Sequence, residues 1–463
     1  VLGDVPPPAL GSTLMHEHLI VDYGANFGPP QAGTARAALG GLSLEEARAM
    51  WARPMGAEVA GHCRAFVAAN RDNMALDDID AAVAELAAAA ALAPEGAATV
   101  VETTTVGVGR SVGDLVTISQ RAKVHVVMGT GLHLARVHPR HMRGWSVAQL
   151  TEMMVSEIED GVEVPPLQAP PEAKEGDEEG AAAAEAVRLL QAERPARARA
   201  GIIGELGCSS ELDAAEVRVL QAAAAASRKT GAAILVHPGH TRESPAAILD
   251  VLAAAGCELT RVVVGHCDRG ALSDDDLLAL ARRGATLAFD QFGHPPSFTH
   301  ALAYGLCFPT DFERVATLRR LIDAGVGDRI VVSHDIGCKA RLRKFGGDGY
   351  DHLQRCVVPY MRAVGITRPQ VQAMLVDTPA RLLTLAPPRP KYEPPPPTPP
   401  ESVRSRVSVG VQVSDGPTRP VTAAADEDGR PPDGDGKGDG EGEEAKGGAG
   451  GDGDGDGDGD DDD

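Results

Sequence analysis

Aromatic residues make up only 3% of this 463-residue chain, with two Trp, five Tyr and eight Phe. Alanine, leucine and valine must therefore fill its core. A hydrophobic content of 43% suffices for one large domain with appendages or for two ordinary ones. The seven cysteines, at 63, 208, 257, 267, 307, 338 and 356, include no CxxC pair. An odd number without regular spacing argues against a disulfide-paired secreted scaffold and favours a reducing compartment, so a cytoplasmic location is expected. No uninterrupted apolar run reaches the roughly 18 residues of a membrane-spanning helix, because Asp, Glu or Arg break the alanine-rich stretches. A basic stripe with interleaved aromatics is also lacking, which argues against nucleic acid and anionic membranes as partners. The chain begins at Val1 rather than Met, so its natural start, with any targeting peptide, is expected upstream.

The formal net charge of -22 is unevenly spread: residues 426–463 hold 17 acidic against three basic residues. From about residue 386 the sequence is proline-rich to Pro400 and then turns into Gly-Asp repeats, too poor in apolar residues to bury a core. A disordered acidic tail over 386–463 is expected. The repeats lack the hydrophobic residue that would let them coil into a stacked calcium-binding roll, so no specific calcium site is expected there.

Between residues 10 and 385, short β-branched runs alternate with amphipathic or alanine-rich segments. Eight strands are predicted, at 13–18, 99–104, 124–128, 202–205, 234–237, 262–266, 286–289 and 330–335. Helices are predicted at 79–92, 211–228, 244–255, 274–283 and 311–324. Eightfold strand-helix alternation gives an α/β fold, a (β/α)8 TIM barrel over 1–385. Residues 161–199 break the pattern with Pro165-Pro166, Pro170-Pro171, an acidic run and an alanine-rich stretch. They read as a mobile surface insertion between strands three and four.

His16 and His18 stand two apart on the first strand and so share a face, at the strand end where such barrels build active sites. Alone, the pair has an ordinary structural reading. Other strand ends, however, also finish in metal-ligand types: Glu205 in Gly201-Ile-Ile-Gly-Glu-Leu-Gly207, His237 in Ile234-Leu-Val-His-Pro238, His266 in Val262-Val-Val-Gly-His-Cys-Asp-Arg269 and Asp335 in Ile330-Val-Val-Ser-His-Asp335. Four histidines and two carboxylates exceed one tetrahedral zinc but suit two divalent ions bridged by a carboxylate and a hydroxide. His334 is expected to point away from the interior, and Cys208 and Cys267 to be packed thiols.

With Gly11-Ser-Thr-Leu-Met-His-Glu-His18, Val101-Glu-Thr-Thr-Thr-Val-Gly107, Gly201-Ile-Ile-Gly-Glu-Leu-Gly-Cys208, Ser333-His-Asp-Ile336 and Gly346-Gly-Asp-Gly-Tyr350, the chain resembles the phosphotriesterase-like family of the amidohydrolase superfamily, from Val1 to about Leu385. The resemblance implies that His16, His18 and Asp335 hold a buried metal, that His237 and His266 hold a more exposed one, and that Glu205 bridges them. It also implies a metal-bridging hydroxide, with Asp335 taking its proton as it attacks a carbonyl or phosphoryl centre. Zinc is the default ion, with manganese, cobalt or iron as alternatives. The substrate implied is a small amide such as an N-acyl amino acid or N-acetyltaurine; lactone, carboxyl ester or phosphotriester hydrolysis is the alternative. A non-catalytic barrel whose acidic tail binds a basic partner is the reading of another class. A homodimer would also fit.

Substrate-contacting candidates are Lys339 and Arg341, as cations for an anionic substrate group, and His133 as a pocket residue. Leu132-His133 stands where the related proteins have an aromatic pair, and Gly337 and Asp348 stand where they have histidines, so specificity is expected to differ. Deleting residues 390–463 is expected to leave turnover of a good substrate unchanged in a steady-state assay; a large loss would show that the tail does more than confer solubility.

Overall fold

A computed structural model describes residues 1–93, 98–168 and 177–387 of the chain. The expected disordered tail, but for its first two residues, lies outside the described residues, as do residues 169–176 of the insertion. Eight strands form one sheet in sequence order, each parallel to its neighbours. They are β1 (Ser12–Glu17), β2 (Ala98–Glu102), β3 (His125–Thr130), β4 (Ala200–Gly207), β5 (Ile234–His237), β6 (Val262–Val264), β7 (Thr286–Phe289) and β8 (Ile330–Val332). All eight predicted strands are present. The seam is joined by hydrogen bonds from the Asp335 N–H to the His16 carbonyl (3.1 Å) and from the His16 N–H to Ser333 Oγ (3.0 Å).

The strands read as β-branched runs because both faces are covered, the inner by the barrel's own side chains and the outer by helices. Met15, Val101, Ile202, Leu235, Val263, Ala288 and Val331, one from each of seven strands, form an inner cluster with almost no exposure. Small side chains such as Ala233 and Ala288 suffice there, which is how a chain so poor in aromatics fills its core. The predicted helices occur at Ile79–Leu92, Ala214–Thr230, Ser244–Ala254, Asp274–Arg282 and Asp311–Asp323. Three start at capping boxes, Asp213 with Glu216, Ser273 with Asp276 and Thr310 with Glu313, which satisfy their first free N–H groups. None of the described helices is long and apolar enough to cross a membrane.

Four strands end earlier than the sequence suggests: β1 at Glu17 rather than His18, β2 at Glu102 rather than Thr104, and β6 and β8 before residues of unusual backbone conformation. β6 stops at Val264 rather than reaching His266, and β8 stops at Val332 rather than Asp335. The reason is backbone conformation: His266 has φ +55° and Asp335 φ +51°, in the left-handed region that a strand cannot contain. For residues other than glycine this costs roughly 1–3 kcal/mol each, and such strain clusters at functional sites.

The insertion is tied down at both ends. Val162–Glu163 pairs antiparallel with Arg197–Ala198. Arg194 donates to the Pro165 carbonyl (2.8 Å), the Gly113 carbonyl (2.8 Å) and Thr117 Oγ1 (3.0 Å), which joins the insertion to the helix Val112–Ala122. Its own helix, Glu178–Ala192, has no buried residue.

Glu17 fastens the turn after β8. Its Oε1 accepts from Ser333 Oγ (2.7 Å), the His334 N–H (2.7 Å) and His334 Nδ1 (2.8 Å), and its Oε2 accepts from the Ile336 N–H (3.1 Å). All these partners are buried. Glu17→Ala would strand several buried donors at about 1–3 kcal/mol each. Urea unfolding is therefore expected to show a loss of at least about 2 kcal/mol, whereas an unchanged midpoint would mean that this carboxylate does not hold the turn.

Candidate metal centre

The register of β1 shifts between Leu14 and Glu17, so His16 follows the inward Met15 onto the same side; beyond the shift, alternation turns Glu17 to the β8 loop and His18 back to the barrel mouth. Glu205 arrives from β4 between two glycines with separate reasons to be there. A Cβ at Gly204, whose φ is +143°, would meet the Leu235 carbonyl oxygen at 2.4 Å; one at Gly207 would meet His133 Nδ1 at 2.1 Å. The Gly-Glu-Leu-Gly motif thus lets β4 lie close to its neighbours while it presents one carboxylate.

The structure brings the six expected ligand residues together around that carboxylate. Glu205 Oε1 lies 2.6 Å from His237 Nδ1, 3.2 Å from His266 Nε2 and 3.3 Å from His16 Nε2. Its Oε2 lies 3.8 Å from His18 Nε2 and 3.5 Å from His133 Nε2. Asp335 Oδ1 is 3.3 Å from His18 Nε2 and 3.7 Å from His16 Nε2. Ligand atoms of His16, His18 and Asp335 fall within 4.8 Å of one another, as do those of His133, Glu205 and His237. His266 Nε2 joins the second group, 2.8 Å from His237 Nδ1.

The donor set fits metal ions on an independent ground. His16 Nε2 and Glu205 Oε2 are buried and have no hydrogen-bond partner. Orphaned buried polar atoms are rare, and these two face one cluster of nitrogen and carboxylate donors of the kind that zinc and its neighbours prefer. Electrostatics agree. Burial opposes a charge on Glu205, but His237 and His16 outweigh it and hold the carboxyl well below its usual range. Burial also disfavours protonation of His16, yet Glu205, Asp290 and Asp335 raise its affinity for a proton. Protons held between imidazole and carboxylate are what a divalent cation displaces on binding.

The outer ring of contacts sets which nitrogen each histidine presents. Asp290 Oδ2 lies 2.7 Å from His16 Nδ1 and its Oδ1 lies 2.9 Å from His266 Nδ1, so one carboxylate aims two Nε2 atoms at the centre. The His266 N–H also donates to Asp290, at 3.0 Å, which holds the left-handed residue in place. His18 Nδ1 is 2.8 Å from Thr104 Oγ1, and Thr104 in turn donates to Glu102, a buried carboxyl pushed up to about 7 by desolvation. Such partners fix the tautomer and orientation of a ligand.

Three of these contacts escaped the sequence reading. Asp290 directly follows the last residue of β7, so the strand-end rule that found Glu205 and His266 would have found it too. Thr104 lay inside a quoted motif without a role. Tyr23, whose OH is 3.0 Å from His18 Nε2, follows β1 in a segment without periodic pattern, and nothing in the sequence marks it.

Of the substrate candidates, His133 is at the cluster, buried, with burial driving its proton affinity down to about 4. Lys339 is not: its Nζ is committed to Asp72 and Asp77, at 2.5 and 2.8 Å. Arg341 lines a cavity of about 580 Å3 with His294, Asp311 and Tyr360, a lining that includes none of the six ligand candidates but meets them through His294, whose Nε2 is 3.2 Å from the Asp335 carbonyl oxygen. His334 likewise stays outside the cluster, between Glu17 and the Leu353 N–H (3.1 Å).

A model of the phosphotriesterase family matches residues 1–201 and 194–383. An N-acetyltaurine hydrolase from Danio rerio is 30% identical over 389 residues, which cover 83% of this chain and 97% of that protein. A resiniferatoxin-binding protein from Rhodobacter sphaeroides has a similar crystal structure, with TM-score 0.68 and 30% identity over 82% of this chain and 93% of that one. The phosphotriesterase homology protein from Escherichia coli, crystallised with phosphate in its active site, gives TM-score 0.58 and 25% identity over 82% and 100% of the two chains.

Asp290→Asn keeps the shape of the outer contact but removes the charge that orients His16 and His266. Metal affinity, measured by competition with a chelator, is expected to fall roughly 10–100-fold. Affinity equal to that of the unaltered protein would mean that Asp290 does not orient the ligands.

Proposed function

The chain belongs to the phosphotriesterase family and is a metal-dependent hydrolase; on that footing we propose that it cleaves small amides at a pair of divalent ions. The observation that carries this reading is the buried Glu205, both of whose oxygens face histidines from several strands and one of which has no hydrogen-bond partner. His16, His18 and Asp335 would hold one ion, His237 and His266 the other, and Glu205 would link them, with zinc as the expected metal. The two ions, when bound, supply a water of lowered pKa and a Lewis acid for the acyl oxygen.

The chain's own groups do the rest. Asp335 is the ligand carboxylate with an exposed edge, 16% against 1% for Glu205, so it can reach the attacking water, take its proton and pass one to the departing nitrogen. His133, held neutral by burial, and Tyr23 border the same space without adding charge. The acyl group proposed is a small one on an amino acid or on taurine, a substrate class supported by the name of the Danio rerio relative. Seven free cysteines, five of them buried, suit the reducing compartment proposed for it.

Elemental analysis of carefully prepared protein should find close to two transition-metal ions per chain, and the metal-loaded protein should hydrolyse N-acetyltaurine or a small N-acyl amino acid. His16→Ala is expected to lower the metal content and to abolish measurable turnover. Fewer than one tightly bound metal per chain would overturn the binuclear reading. Turnover of lactones or aryl esters without any amide cleavage would overturn the choice of bond.

A further inference from the structure

Arg269 is a buried cation that no carboxylate touches, although Asp290, Asp335, Glu205 and Asp268 act on it from further off. It follows β6 and is only 5% exposed, and among the described residues no carboxylate lies within ion-pairing distance of it. The acidic groups nearest to it are engaged elsewhere. Asp290 holds two histidines, Asp268 is paired with Arg314 at 2.9 Å, and Glu205 and Asp335 belong to the cluster. Arg269 Nη1 donates to the Pro238 carbonyl at 3.1 Å, its Nη2 stands 3.4 Å from His237 Nε2, and its Nε is buried with no partner. With no carboxylate in contact and Nε unpartnered, an anion beside this guanidinium would complete its hydrogen bonds.

The contact with His237 shows where that anion would sit. His237 turns Nδ1 to Glu205 and to His266, so Nδ1 is the atom placed to hold a metal. A neutral imidazole has one N–H, and a metal on Nδ1 leaves it on Nε2. His237 Nε2 and Arg269 Nη2 then become two donors facing each other, with no acceptor between them. The His237 side chain is 19% exposed and Arg269 5%.

We propose that Arg269, together with the Nε2–H of His237, receives the anionic group of the substrate, a sulfonate or carboxylate carried on the amine side of the scissile amide. The inference rests on the amide-hydrolase reading for its substrate and on the geometry of Arg269 for its site. It assigns to Arg269 the part that sequence position suggested for Lys339 and Arg341.

The test uses the metal-loaded full chain, with Arg269→Lys and Arg269→Gln checked for metal content and circular dichroism. Calorimetric titration with ethanesulfonate and, separately, propanoate should show binding to the unaltered protein. Binding should weaken at least tenfold in both variants and in the metal-free protein. The ratio of kcat/KM for N-acetyltaurine to that for uncharged N-ethylacetamide should also fall at least tenfold in the variants, mostly through KM. An equal loss on both amides would reduce Arg269 to a positioning residue for His237 and overturn the proposal. So would anion binding of equal strength in variants and parent, or none in the parent. Should the parent hydrolyse neither amide, the amide reading fails by itself, and the calorimetry still decides whether Arg269 is an anion site.

Discussion

A fully buried carboxylate is stable only if something compensates its charge, and around Glu205 that compensation comes from imidazoles delivered by β1, β5 and β6. The barrel is the device that makes this convergence cheap. Eight parallel strands bring residues far apart in sequence to one mouth, and each needs to end in a suitable residue type only once. Remove Glu205, and four histidines with Asp335 have no common partner; remove the histidines, and the carboxylate is stranded.

Holding the ligands in place costs backbone strain, and the structure locates its restraints. His266 and Asp335 are both left-handed, at roughly 1–3 kcal/mol each. Asp290 grips the first through its N–H and ring, and the Asp335 N–H is held by the His16 carbonyl while Glu17 grips the residues on either side. The turn at each site is needed because a strand would alternate its side chains across the sheet, whereas a ligand must lean over the barrel mouth. Two carboxylates, Asp290 and Glu17, therefore decide how His266 and Asp335 are aimed.

The barrel, its eight strands and the six residues that meet at its mouth were legible in the sequence, because strand patterning is local and a candidate ligand at a strand end declares itself by type. What was not legible depended on pairing at a distance. Lys339 reads as a free cation beside the site until Asp72 and Asp77, more than 260 residues earlier, are folded against it. Arg341 follows β8 closely in sequence, yet it lines a cavity whose lining residues meet the cluster through His294, beside the Asp335 carbonyl. Asp290 was recoverable from the strand-end rule, but Arg269 was not. Its meaning lies in the carboxylates that fail to reach it and in which nitrogen His237 turns inward, and neither has any trace in a linear pattern.

Charge balance bears on how a site so rich in acidic groups would take the anionic substrate proposed for it. Without metal, Glu205, Asp290 and Asp335 are negative, and protons shared with histidines soften this. Two divalent ions would bring four positive charges, offset by the three carboxylates, by a bridging hydroxide and by the protons that leave the histidines, while Arg269 adds one that no carboxylate contacts directly. Loading would therefore leave the mouth less negative, in a low-dielectric setting where the change is poorly screened. A substrate bearing a sulfonate or carboxylate would meet less repulsion at the filled site than at the empty one, so recognition and the capacity to react would arise together.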